Sequence, residues 1–170
     1  MAKWLIDPAH SEVHFKIKHL VISTVTGSFK KFEGSVESEK EDFSDAVIQF
    51  SADTASVDTN NEQRDGHLKS DDFFNAEKYP KLTFVSTEIE KNGDEYILKG
   101  NLTIRDVTKP VELEVEYGGT TKDSYGQTKA GFDITGKINR QDYGVSGGGP
   151  VVGDDIPITI DLEMVIPQPK

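Results

Sequence analysis

The chain contains no cysteine among its 170 residues. Disulfides, thiolate nucleophiles and cysteine-ligated zinc are therefore excluded. The absence leaves the compartment open, because many secreted proteins also lack cysteine. Basic residues are scarce: 19 Lys and Arg stand against 30 Asp and Glu, for a formal charge of −11. That balance argues against nucleic acid or an anionic membrane surface as the main partner, since both demand basic patches. Long apolar runs are missing too, and none approaches the roughly 18 residues of a membrane span. No leader-like stretch precedes Trp4. As written the chain reads as cytoplasmic, and as periplasmic or secreted if a leader was removed. Residues 1–170 read as one domain, long enough to bury a single sizeable core.

What the chain does have is period-two alternation. Val111, Leu113, Val115 and Tyr117 alternate with Glu112, Glu114 and Glu116. Ile156, Ile158, Ile160, Leu162, Met164 and Ile166 repeat the pattern at the end of the chain. Phe132, Ile134 and Ile138 form another row, as do Val13, Phe15 and Ile17, and Leu98, Leu102 and Ile104. One apolar face and one solvated face is the signature of antiparallel sheet. Asn92-Gly93-Asp94, Tyr125-Gly126 and Gly147-Gly148-Gly149-Pro150 supply turn signals. The count predicts about eight strands of ten to twelve residues in an all-β meander. The tail Pro167–Lys170 reads as frayed.

One segment breaks the alternation. Residues 60–74 read as a short helix, with Asp58, Thr59 or Asn60 as cap and Glu62 in its first turn. Leu68, Phe73 and Phe74 give it an apolar side.

Eight strands with one apolar face bury that face by stacking as a sandwich or by closing as a barrel. Small residues at Gly100, Gly136 and Ser86, in register with large neighbours, leave room along a barrel axis. That favours a narrow apolar tunnel suited to a linear lipid. Alternation alone does not separate a hollow barrel from one packed solid.

Several blocks now resemble the YceI-like family, also described as polyisoprenoid-binding or lipid-binding proteins. They are Trp4-Leu5-Ile6-Asp7, His10-Ser11-Glu12-Val13-His14-Phe15, Val25-Thr26-Gly27-Ser28-Phe29, Arg64-Asp65-Gly66-His67-Leu68, Asp72-Phe73-Phe74, Tyr79-Pro80-Lys81-Leu82-Thr83-Phe84, Gly100-Asn101-Leu102-Thr103-Ile104, Thr108-Lys109-Pro110-Val111 and Asn139-Arg140-Gln141-Asp142-Tyr143-Gly144. Their order matches the family's, and together they span nearly the whole chain. The resemblance implies a lipocalin-like, eight-stranded antiparallel barrel, often dimeric, that holds a long isoprenoid or similar amphiphile. It implies no catalytic activity and no cofactor.

On this reading Phe15, Ile17, Phe84, Leu102, Leu113, Phe132, Ile134 and Ile160 are expected to line the interior. Leu68, Phe73 and Phe74 would close or shape one end. Arg64 and His67 have two readings: a local ion-paired group fixing the helix, or a pair greeting a polar or phosphorylated head at the mouth. Arg140 with Asp142 carries the same two readings. Lys30 and Lys31 form a basic pair near a turn. His10, His14 and His19 lack the spacing and the carboxylate partners of a metal set. Asp7, Asp65, Asp72 and Asp142 offer no nucleophile with a neighbouring base. Three functions follow in order: a lipid-binding barrel, a solid structural or stress-related barrel acting through its acidic surface, and an enzyme acting on an enclosed lipid.

Overall fold

The structure, a computed structural model, describes residues 2–20, 22–40 and 42–166. The tail at 167–170 lies outside the described residues. The strands are β1 (Ala2–Ile6), β2 (Glu12–His19), β3 (Ser23–Phe29), β4 (Phe32–Ser38), β5 (Val47–Asp53), β6 (Val57–Asp58), β7 (Lys81–Asn92), β8 (Glu95–Ile104), β9 (Val107–Lys122), β10 (Thr128–Asn139) and β11 (Asp155–Val165), with one helix, α1 (Glu62–Leu68). All pair antiparallel in one sheet.

The sheet closes through β1. Leu5 stands opposite Ser35 of β4 on one side and Val165 of β11 on the other. Three of the wall's strands are each built from two pieces: β1 with β2, β3 with β4, and β5 with β6. Both pieces of the first pair with β11, while β4 pairs with β5 and β3 with β6. Eleven segments thus make the eight walls of an up-and-down barrel closed through the β1–β4 and β1–β11 pairings.

Strand lengths depart from expectation in the first half of the chain. The later strands run 10 to 16 residues, but β1 has only 5 and β6 only 2. Pro8 explains the first break. It opens a 3-10 turn, Pro8–His10, whose start is capped by Asp7 accepting from the Ala9 amide at 3.1 Å. Proline has no amide hydrogen to give a ladder, and its fixed φ suits the first position of the 3-10 turn that takes the chain out of the strand here. A second 3-10 turn, Thr54–Ser56, divides β5 from β6.

The helix is shorter than the sequence suggested and differently capped. It ends at Leu68, and Asn61, not an earlier residue, accepts from the Arg64 amide at 3.0 Å. Residues 69–80 continue as turns, tied back by Phe74 N–H to the Leu68 carbonyl and Ala76 N–H to the Lys69 carbonyl. Ser70, Asp71 and Asp72 favour such turns over helix, because their side chains compete for backbone hydrogen bonds.

Both barrel ends are covered. At one, α1 and residues 69–80 cross the opening, next to a loop from Arg140 to Asp154. The Gly147 amide donates to the Asp72 carbonyl at 2.7 Å, and Arg105 donates to the carbonyls of Asp71 and Phe73 at 2.6 and 2.9 Å. At the other, the β4–β5 connection turns Phe43 inward. Phe43 adopts φ +61°, is 2% exposed and packs on Trp4, Tyr117 and Phe132 at ring distances of 5.4, 5.7 and 5.1 Å. The Tyr96 hydroxyl, fully buried, donates to the Asp42 carbonyl and holds that loop down.

A candidate ligand cavity inside the barrel

Inward positions of every wall meet along the axis. Between them lies a void of about 140 Å³ in which a water-sized sphere can be centred, with only apolar surface exposed to it. Phe15, Ile17, Phe84, Leu102, Leu113, Ile134 and Ile160 border it, as the alternation led one to expect. So do Leu68, Phe73 and Phe74 from the covering segment. Phe74 reaches across to Phe29, with rings 5.6 Å apart and edge to face.

Phe132 is displaced from that group. It points inward, but at the Phe43 end, where a smaller void of about 50 Å³ lies among Val36, Phe43, Tyr96, Val115 and Met164. The two voids share Val36, Ile48, Leu98, Ile134 and Leu162 as bordering residues.

Arg64 and His67 are not on the cavity wall. The Arg64 guanidinium donates to Thr59, through Nε to Oγ1 at 2.8 Å and through Nη2 to the carbonyl at 2.6 Å. Asp65 accepts from the Thr59 amide and hydroxyl at 2.8 and 2.5 Å. Arg64 and Asp65 therefore tie the helix to Thr59, just after β6, through hydrogen bonds rather than through the ion pair of the first reading. His67 is exposed and contacts Asp72 at 2.9 Å.

Gly100 and Gly136 also act differently from expectation. The Phe84 ring lies where a side chain on Gly100 would stand, and Leu113 covers Gly136 in the same way. These glycines make room for neighbouring side chains rather than for open space. Ser86 donates no space either: its hydroxyl accepts from the Ile48 amide at 2.8 Å.

Arg140 borders the cavity base and is 3% exposed. Its guanidinium donates to the carbonyls of Gly153, Val145, Gly147 and Val152 at 2.9, 2.8, 2.6 and 3.1 Å. Asp154 stands 3.5 Å away and balances the charge. Arg140 is thus the internal strut of the loop beneath the cavity, and Asp142 is not its partner. Sequence reasoning named the residue, but the carbonyls that hold it carry no side-chain signal.

The histidines do not converge. His10 sits 2.8 Å from Asp7, and His14 sits 2.9 Å from Glu12. Asp7, His10 and Glu163 cluster closely, but the Lys129 ammonium lies 2.9 Å from Glu163 and 3.6 Å from Asp7. The cation of that cluster is a lysine. The His10 hydrogen bond holds the Asp7 carboxyl below its usual range, helped by the Ala9 amide.

The chain is similar to proteins of known sequence and structure. A model of the YceI-like domain matches residues 4–164. A UPF0312 protein of Photorhabdus laumondii is 42% identical over 138 residues, covering 81% of this chain and 72% of the relative. Protein YceI of Salmonella newport is 38% identical over 166 residues, covering 96% and 87%. Burkholderia cenocepacia BcnA superposes with a TM-score of 0.83 at 27% identity, covering 93% of this chain and 98% of that one. A polyisoprenoid binding domain from Saccharophagus degradans superposes with a TM-score of 0.76 at 14% identity, covering 98% and 100%, and shares the fold. A closed barrel with an apolar interior, and a family match from the first strand to the last, place this chain in the YceI-like family.

Proposed function

We propose that the protein binds one long-chain, isoprenoid-like lipid with its tail inside the barrel, to sequester or carry it. The observation that carries this reading is the wholly apolar cavity, enclosed by side chains from every wall. The polyisoprenoid-binding description of the Saccharophagus domain points to the same ligand class. Phe15, Ile17, Leu68, Phe73, Phe74, Phe84, Leu102, Leu113, Ile134 and Ile160 would form the tail's surroundings, with Phe132 at the far end.

The energy comes from burial. Each methylene withdrawn from water contributes about 0.8 kcal/mol, against a cost of at least about 4 kcal/mol for immobilising the ligand. An apolar void near 150 Å³ takes up a benzene-sized guest. The 140 Å³ here therefore accommodates on the order of one isoprene unit with the walls at rest. A longer tail is accommodated when side chains shared by both voids, the half-buried Ile48 and Leu162 among them, part and join the central void to the one beneath Phe43. A binding role fits the polar groups better than catalysis: Arg140, the charged group nearest the cavity, is already saturated by carbonyls.

The test is extraction of the purified protein with organic solvent, followed by mass spectrometry. A stoichiometric long-chain lipid supports the proposal. Empty extracts, together with failure to take up added polyprenyl lipids, refute it. Chemical change in an added lipid would instead reveal an enzyme. Leu113→Trp should reduce uptake at least tenfold by extending a larger side chain from the wall into the central void.

A further inference from the structure

The barrel wall is not continuous. Pairing of β1 with β4 ends at Leu5–Ser35, and pairing of β2 with β3 resumes only at His14–Ser28. Between them, residues 6–13 and 29–34 pass one another without register. At the edge of this break an outer groove of about 530 Å³ runs over β4, β5 and β7. It shares Ile6, Ser35, Gln49, Phe50 and Phe84 with the central cavity. Gly34 sits at the junction. A Cβ there would come within 2.6 Å of Ile6 Cδ1 and 2.8 Å of the Gln49 carbonyl, so the Ile6 side chain fills this corner and is the group that must swing aside to open it.

The chemistry of the groove differs from that of the cavity. Ser35, Gln49, Ser51 and Thr83 offer neutral donors and acceptors. The ionised side chain on the lining is Glu33, whose carboxylate has Lys81 at 3.4 Å. A phosphate placed there would lose water and meet a carboxylate, with the nearby cation already shared. A hydroxyl or carbonyl would meet the Gln49 amide and the Ser35 hydroxyl at little desolvation cost.

We infer that the break beside Gly34 is a side entrance to the barrel and that it selects amphiphiles with an uncharged, hydrogen-bonding head. The inference rests on the lipid-binding reading above and specifies where the head lies and what it is. The tail enters beyond the Leu5–Ser35 pair, where residues 6–13 and 29–34 run without register, while the head stays in the groove against Gln49 and Ser35.

Equilibrium dialysis of delipidated protein with labelled geranylgeraniol and geranylgeranyl phosphate tests it, because the two probes share one tail. Wild type should bind the alcohol at least tenfold more tightly. Gln49→Lys, an exposed change that adds a cation to the groove, should narrow that preference at least fivefold. Asn101→Lys, two strands away in the same cross-strand row and outside the groove, should leave it unchanged. Equal binding of both probes, or an unchanged ratio in Gln49→Lys, overturns the side entrance while leaving lipid binding intact. If neither probe binds, the lipid reading falls and the entrance falls with it.

Discussion

At the residue scale, two side chains set the limits of the cavity, and neither is part of its alternating wall. Arg140 is buried because backbone carbonyls from five residues accept its protons, so its removal would leave those acceptors unpaired inside the protein. Arg140→Leu should destabilise the fold by about 3 kcal/mol or more, read as a lower urea midpoint with an unchanged slope. Arg140→Lys should recover little, since an ammonium cannot span the same fork of carbonyls. Phe43 seals the opposite end. Phe43→Ala should cost about 3 kcal/mol through the cavity it leaves among Trp4, Tyr117 and Phe132. Arg140 could be named from sequence only as half of an ambiguous pair. Phe43 gave no signal, because it stands alone in a run of Ser, Glu, Lys and Asp with a left-handed backbone. Its burial is a tertiary event that no period announces.

At the scale of elements, the outward faces carry as much information as the inward ones. Glu95, Glu116, Asp133, Asp161 and Glu12 stand directly opposite one another across β8, β9, β10, β11 and β2. Like charges so placed oppose strand pairing. Within this row Asp133 is pushed above its usual value of 3.8, first by a hydrogen bond with Asp161, then by desolvation and by that neighbour's charge. The folded state therefore holds a proton that the unfolded chain releases. This contribution is fully present below pH 3.8 and fades as pH climbs through the raised value. Asp133→Asn should accordingly become more stable than wild type as pH rises above that window, with the two converging in acid. Thermal melts at a series of pH values would show it, and parallel curves would contradict it. Carboxyls such as Asp7 and Asp71, lowered by His10 and Arg105 respectively, act in the opposite sense and weaken the fold in acid. The later strands were legible because their alternation runs unbroken for ten or more residues. The earlier ones were misjudged in length because Pro8 and the Thr54–Ser56 turn interrupt strands whose apolar faces nonetheless continue across the break.

At the scale of the whole molecule, closure was foreseeable and hollowness was not. Eight one-sided strands in a chain without cysteine have few ways to hide their apolar faces, and a barrel is one of them. Whether space remains inside depends on how Phe84 leans over Gly100 and Leu113 over Gly136, and sequence parity does not report that. The break beyond the β1–β4 pairing was equally hidden, since it arises where two neighbouring walls both pass from one strand piece to the next. The same closure places β1 and β11 side by side, with Leu5 against Val165. The first and last strands of the chain are therefore spatial neighbours. A short peptide joining them, with new ends cut into the exposed tight turn at Gly93, would trace the same cylinder in a different order. Such a rearranged polypeptide should refold and keep its interior, making the molecule a ring in topology as well as in shape.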